Sequence, residues 1–299
     1  MKKKTFRKLG IALAGGGGRG AYQVGILRAL LETNLYDKIH MMAGTSVGAL
    51  NEILYVHRDF HLANYVWRCT IDQAILYLDK DRFRSEWKIL KHGVYASESE
   101  NKSVFDGFKE IFGKSGFKAG IFSREGLVRI LQEEINLAMI QKSPIPLFAT
   151  ATHAATKRIE YFRLDNLKDH QEIIDILLAS SALPGIFSRQ YLYGEEYYDG
   201  GIHNNVPIDV LYESGCDLIL VLHLFRSRDR ITHSSYPNAK IIELVPEQSL
   251  GGIIGTLDFS PKTVRSTINR GYQENIDILT SIQHHFEIKK RPKLFAWRQ

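Results

Sequence analysis

The pentapeptide Gly44-Thr45-Ser46-Val47-Gly48 constrains this chain more than any other stretch. It follows a short apolar segment, Ile39 to Ala43, and precedes a run with helical spacing that starts near Ala49. One βαβ length upstream, the apolar segment Gly10 to Ala14 runs into Gly15-Gly16-Gly17-Gly18-Arg19-Gly20, after which Val24, Leu27, Leu30 and Leu31 recur at helical spacing. Two successive strand, glycine turn and helix units predict adjacent parallel strands in an α/β fold. Their loops then share one edge of the sheet.

The chain has 299 residues, 44% of them hydrophobic, so it can bury a large core. Cys69 and Cys216 are too few for a disulfide framework, and no Cys/His spacing suggests a metal site; both are expected as buried, reduced thiols. The net charge of +6 is carried by the ends: Lys2, Lys3, Lys4, Arg7 and Lys8 at one, Lys289, Lys290, Arg291, Lys293 and Arg298 at the other. The body between them is mildly acidic. Such ends suit contact with anionic lipid, whereas no basic stretch sits in a nucleic-acid-binding module. The apolar stretch after the first basic cluster is cut short by glycines, and no run reaches membrane-spanning length. The expectation is a cytoplasmic protein without a Sec signal peptide, touching membranes from outside.

Further along, a segment from about 60 to 120 interrupts the α/β pattern with aromatic, charged and polar residues and is expected as an insertion of helices and loops. Ser123 is a candidate cap for a helix whose apolar face is Leu127, Ile130, Leu131 and Ile135. Pro144 to Thr152 and Ile159 to Phe162 are expected to pair as a hairpin, Ile173 to Ala182 to form a helix stopped by Pro184-Gly185, and Leu218 to Leu224 to form a buried strand. Beyond Ser227 the pattern is undiagnostic.

The pentapeptide has the form of a nucleophile elbow, in which glycines two positions either side of a serine remove Cβ atoms that would clash in a strained turn. For the glycine cluster, a dinucleotide loop would need an acidic residue at the end of the second strand, where Gly44-Thr45-Ser46 stands instead. A P-loop would need a Gly-Lys-Ser/Thr that is absent. What remains is backbone N–H groups aimed at an oxyanion. Arg19 either shapes that loop, contacts an anionic substrate group, or is a surface charge. Ser46 needs a base. His203, His223, His233, His284 and His285 lack a recognisable catalytic context; the alternative to a histidine base is direct activation by Asp199, which follows the expected strand Glu195 to Tyr198 and precedes Gly200 and Gly201.

Taken in order, Gly15 to Gly20, Gly44 to Gly48 and Asp199-Gly200-Gly201 resemble the motifs of the patatin-like phospholipases, with Ser180 to Phe187 and Asn204-Asn205-Val206-Pro207 as weaker matches. The resemblance implies a three-layer α/β/α sandwich around a mainly parallel sheet. It places the core at 9–224, including the insertion, and leaves 225–299 as an extension. It also implies a Ser46–Asp199 dyad cleaving lipid acyl esters of phospholipase A or lysophospholipase type through an acyl-enzyme. The oxyanion loop would be Gly15, Gly16, Gly17, Gly18, Arg19 and Gly20, the elbow Gly44, Thr45, Val47 and Gly48, and neither metal nor cofactor is called for. One departure is His153, where relatives often carry aspartate. A soluble carboxylesterase or thioesterase for short acyl chains, and a non-catalytic lipid-binding protein of the same fold, remain as alternatives.

Overall fold

Alternate residues of neighbouring strands divide the apolar side chains between two cores, which is the pattern of a sheet covered on both faces. On β1 (Leu9–Leu13), Leu9, Ile11 and Leu13 join the larger core and Ala12 the smaller; on the strand Leu218–Leu222, Leu218, Leu220 and Leu222 part from Ile219 and Val221 in the same way. The computed structural model describes residues 6–71, 124–184, 186–226, 230–251, 256 and 258–285. The candidate cap Ser123, the expected insertion from 72 onward, and most of the two basic ends lie outside the described residues.

The sheet is built from β1, β2 (Ile39–Thr45), β3 (Leu147–His153), β4 (Ile159–Arg163), β5 (Gln190–Leu192), β6 (Glu195–Asp199), β7 (Leu218–Leu222) and β8 (Lys240–Leu244). Its order is β5-β6-β3-β2-β1-β7-β8, with β4 paired to the other side of β3. The five strands from β3 to β8 along that order are parallel, so β1 and β2 are the adjacent parallel pair expected from the two glycine turns. The β3–β4 hairpin forms as expected, and β6 against β3 and β5 against β6 are antiparallel as well. The fold is α/β with a mixed, mostly parallel sheet.

Register on β3 brings two distant segments together. β2 runs alongside β3 as far as the pair Thr45 and Thr150, and β6 comes from the opposite direction along the same side of β3, ending at the pair Asp199 and Ala151. The end of β2 therefore meets the end of β6. His153 closes the top of β3: its Nδ1 accepts the N–H groups of Ala155 and Thr156, both at 3.2 Å, as an aspartate carboxylate would in the same turn.

Helices α1 (Ala21–Glu32), α2 (Val47–Val56), α3 (Phe60–Tyr65), α4 (Glu125–Glu133), α5 (Leu137–Gln141), α6 (His170–Ser180), α7 (Asp209–Glu213), α8 (Pro261–Gln273) and α9 (Ile276–Gln283) complete the described elements. Helix α2 begins at Val47, two residues before its expected start, because the elbow turns directly into it. Helix α6 starts where the Asp169 carboxylate accepts the Gln171 N–H at 2.8 Å. No helix among the described residues is long and apolar enough to cross a membrane. Of the two cysteines, Cys216 is buried, but Cys69 is exposed because it lies on the outward side of a wide helical turn, 66–70, whose Val66 and Trp67 face inward; this corrects the expectation of two buried thiols.

Helix α1 is buried nearly all round, since α8 covers the face that the sheet leaves open. The two helices touch backbone to backbone: a Cβ at Gly25 would lie 2.0 Å from the Ile268 carbonyl oxygen, and one at Gly271 would lie 1.9 Å from that of Tyr22. Around this crossing Tyr22 donates to Glu274 at 2.8 Å and Tyr272 to Glu32 at 2.6 Å. Gly271→Ala is expected to lose about 1–3 kcal/mol in urea unfolding, because one methyl forces the helices apart. A loss below about 0.5 kcal/mol would show that the crossing has slack.

Candidate active site

The Ser46 turn follows from its glycines. Ser46 has φ 56° and ψ −124°, a costly conformation for a residue with a side chain. A Cβ at Gly44 would stand 2.4 Å from the Ala49 nitrogen, and one at Gly48 would stand 2.1 Å from the Leu13 carbonyl oxygen. The side-chain-free positions let α2 start directly against β1 and β2. Thr45 is buried and points the other way, its hydroxyl paired with that of Thr150 at 2.7 Å.

Because β2 and β6 end against the same stretch of β3, Ser46 Oγ donates to Asp199 Oδ2 at 2.7 Å across 153 positions of sequence. Asp199 is the last residue of β6, one beyond the expected strand end. Its other oxygen, Oδ1, accepts the Gly201 N–H at 2.7 Å, and its main-chain carbonyl accepts the Thr152 hydroxyl at 3.1 Å. Gly200 fits here because a Cβ would meet Thr150 Oγ1 at 2.3 Å. Burial pushes the Asp199 carboxyl up to about 6, against the opposing pull of the Ser46 and Gly201 hydrogen bonds and the Arg124 charge. No histidine bonds to Ser46 among the described residues; His203 is exposed and His223 is paired with Glu243 at 2.9 Å.

The glycine loop divides into two parts. Gly15, Gly16 and Gly17 border a cavity above Ser46, whereas Gly18, Arg19 and Gly20 are buried behind it in a tight helical turn. The Gly15 N–H is already given to the Asn205 carbonyl at 3.3 Å, so it is no donor to a ligand, contrary to its expected place among the oxyanion groups. Gly16 and Gly17 open the turn, where N–H groups have no partner within a helix. Arg19 is neither on the surface nor lining the cavity: it donates to the Gly251 carbonyl at 2.8 Å and to the Thr256 hydroxyl, and its guanidinium lies 4.4 Å from the centre of the Phe225 ring. Its charge holds the loop to the segment after β8. Asn51 fastens the loop from the other side, donating to the Gly20 carbonyl at 2.9 Å and accepting from Trp67 at 2.8 Å.

The cavity is mostly apolar, with Ser46, Asp199 and Asn205 together at its floor and Asn51, Ser181 and Thr256 as its other polar lining. Leu50, Ile53 and Leu54 of α2 form one wall and Leu127, Ile130 and Leu131 of α4 another. The apolar face of α4 was legible in sequence as a helical stripe, but a stripe facing a cavity has the same spacing as one facing a core. Trp67, Phe225 and Phe259 line the cavity without any sequence signal. Among the described residues no group of three or more His, Cys, Asp or Glu side chains is placed to hold a metal ion.

The chain is 24% identical to an uncharacterised NTE family protein of Mycobacterium tuberculosis over 80% of its own length and 55% of that protein's. It is 24% identical to triacylglycerol lipase 4 of Saccharomyces cerevisiae over 96% of its own length and 34% of the lipase. The chain thus spans about half the length, or less, of these curated relatives. Its fold is similar to that in the crystal structure of VipD from Legionella pneumophila, with a TM-score of 0.52 at 14% identity, covering 93% of this chain and 67% of that one. The family model for patatin-like phospholipase matches residues 11–212, from the middle of β1 through α7. With its glycine loop, its serine elbow and its Asp-Gly-Gly turn all inside that match, the chain belongs to the patatin-like phospholipase family.

Proposed function

We propose that the chain is a lipid acyl hydrolase of phospholipase A or lysophospholipase type, using Ser46 as nucleophile and Asp199 as its base. The observation that carries this reading is the 2.7 Å bond from Ser46 Oγ to a buried carboxylate on the floor of an apolar cavity. Ser46 Oγ attacks the ester carbonyl while its proton passes to Asp199 Oδ2; Gly201, bonded to Oδ1, keeps the carboxylate turned toward the serine. The oxyanion is held by N–H groups of the glycine loop, with Gly16 and Gly17 best placed to serve. Asp199 then returns the proton to the leaving alcohol, and water releases the acid from the acyl-enzyme. Neither half-reaction calls on a metal or an organic cofactor.

The side walls from α2 and α4 suit an acyl chain, and family membership supports lipid esters as the substrate class. The basic ends supply attraction to anionic lipid, since each Lys or Arg near such a surface contributes about 1 kcal/mol. The test is release of fatty acid from phospholipid vesicles, with and without anionic lipid, beside hydrolysis of a soluble short-chain ester. A fluorophosphonate label should be found on Ser46. Cleavage of the short ester alone would favour a carboxylesterase or thioesterase, and no labelling would favour a non-catalytic lipid-binding protein.

A base must be ionised to accept the proton. Since burial puts the Asp199 carboxyl at about 6, kcat/KM is expected to fall as pH drops through that value. A flat profile from about pH 5 to 8 would remove Asp199 as the base.

A further inference from the structure

Ser46 and Asp199 lie at the ends of different strands, and a third segment touches the backbone of both. Ser180, the last residue of α6, is fully buried, and its Oγ accepts the Ser46 N–H at 2.9 Å. Two residues on, the carbonyl of Ala182, also fully buried, accepts the Asp199 N–H at 3.0 Å. The adjacent Ser181 behaves differently: its hydroxyl returns to the Leu177 carbonyl at 2.8 Å, an ordinary bond to the preceding helical turn. Of the two serines, only Ser180 reaches the elbow.

Ser46 stands one residue past the end of β2 with φ 56°, and its N–H goes to the Ser180 hydroxyl. A conformation of this kind persists only where its surroundings over-determine it. Gly44 and Gly48 make it sterically possible. The Ala49 and Leu50 N–H groups bond the Ser46 carbonyl, and the Ser180 hydroxyl bonds its N–H. Together with the Ala182 carbonyl that hydroxyl ties nucleophile and acid to one rigid helix end, so the spacing between them is set by α6 as well as by β3.

We infer that Ser180 is a positioning residue for the dyad, acting through the Ser46 backbone and not through the substrate. This inference rests on the hydrolase reading proposed above. Ser180 does not line the cavity, so its loss removes no contact with an acyl chain. The expected signature is therefore a fall in kcat with KM unchanged.

The test compares purified full-length wild type, Ser180→Ala, Ser180→Cys and Thr33→Ala for kcat, KM, rate of fluorophosphonate labelling and melting temperature. Thr33→Ala is the control: it deletes another buried hydroxyl, bonded at 2.7 Å to the Ala29 carbonyl at the end of α1, with no link to the elbow. Ser180→Ala is expected to lower kcat and the labelling rate about tenfold, the effect of one displaced hydrogen bond, with KM within about twofold. Thr33→Ala should leave both rates unchanged. Should Ser180→Ala fail to fold, Ser180→Cys carries the test, since its thiol nearly preserves the volume but accepts a hydrogen bond poorly.

Wild-type kcat and labelling in the folded Ser180 variant would overturn the inference. So would a loss no larger than that of Thr33→Ala at equal melting temperature. Ser46→Ala, run beside them, separates the two levels of the argument. If wild type releases no acid the hydrolase reading fails, and if Ser46→Ala is as active as wild type Ser46 is not its nucleophile; if Ser46→Ala is inactive while Ser180→Ala is fully active, only the positioning role falls.

Discussion

Asp199→Asn is expected to lower kcat at least a thousandfold while the protein melts no lower than wild type at pH 8. An asparagine fits the site, because its carbonyl oxygen can accept the Gly201 N–H as Oδ1 now does. Its amide must then face Ser46 Oγ, where it donates a hydrogen bond instead of accepting one. The serine keeps a partner and loses its base. General-base catalysis contributes about 10²–10⁴-fold, and a base in direct contact with the nucleophile belongs at the upper end.

The stability half of this expectation has a definite sign. The Asp199 carboxyl is raised from 3.8 to about 6 by burial, so the folded protein holds its proton more tightly than the unfolded chain does. The stability it contributes is fully present below about 3.8 and is lost as pH rises through about 6. At pH 8 the buried charge costs on the order of 3 kcal/mol. Asparagine carries no such cost, so the melting advantage of the variant should grow with pH between about 4 and 7. A variant that keeps wild-type kcat would dismiss Asp199 as base, and one whose melting deficit widens as pH rises from about 4 to 7 would show that its charge is stabilising.

Local chemistry was legible in the sequence, and distant convergence was not. The glycines at 44 and 48 could be assigned to an elbow because their reason is steric and lies within a few residues: the Ala49 nitrogen and the end of β1 occupy the space their Cβ atoms would need. The hairpin of β3 and β4 was visible for the same reason. The crossing of α1 and α8 was not, because it depends on Gly25 and Gly271, far apart in sequence, and on a polar helix with no diagnostic pattern. Arg19 shows a different limit. A charge in a glycine loop looks exposed until Gly251, Thr256 and Phe225 are known to enclose it. The motif order could suggest that Asp199 serves Ser46, yet what brings them into contact is β3, along whose side β2 and β6 arrive end to end.

That end-to-end meeting sets Ser46 against Asp199, and under the proposed mechanism it gives Ser46→Ala a prediction beyond loss of activity. The substitution deletes the attacking oxygen, and hydrolysis of vesicle lipid and of the short ester should both fall at least 10⁴-fold, as when a serine nucleophile is removed elsewhere. The backbone should be little disturbed: alanine has the same Cβ, and the N–H bond to Ser180 and the flanking glycines remain. Combining it with Asp199→Asn should cost nothing further, because a base without a nucleophile contributes nothing to this route. The double variant is thus expected to match Ser46→Ala within about twofold. If instead the two losses multiply, Ser46 and Asp199 act on separate steps, and the proton from Ser46 goes to a group other than Asp199.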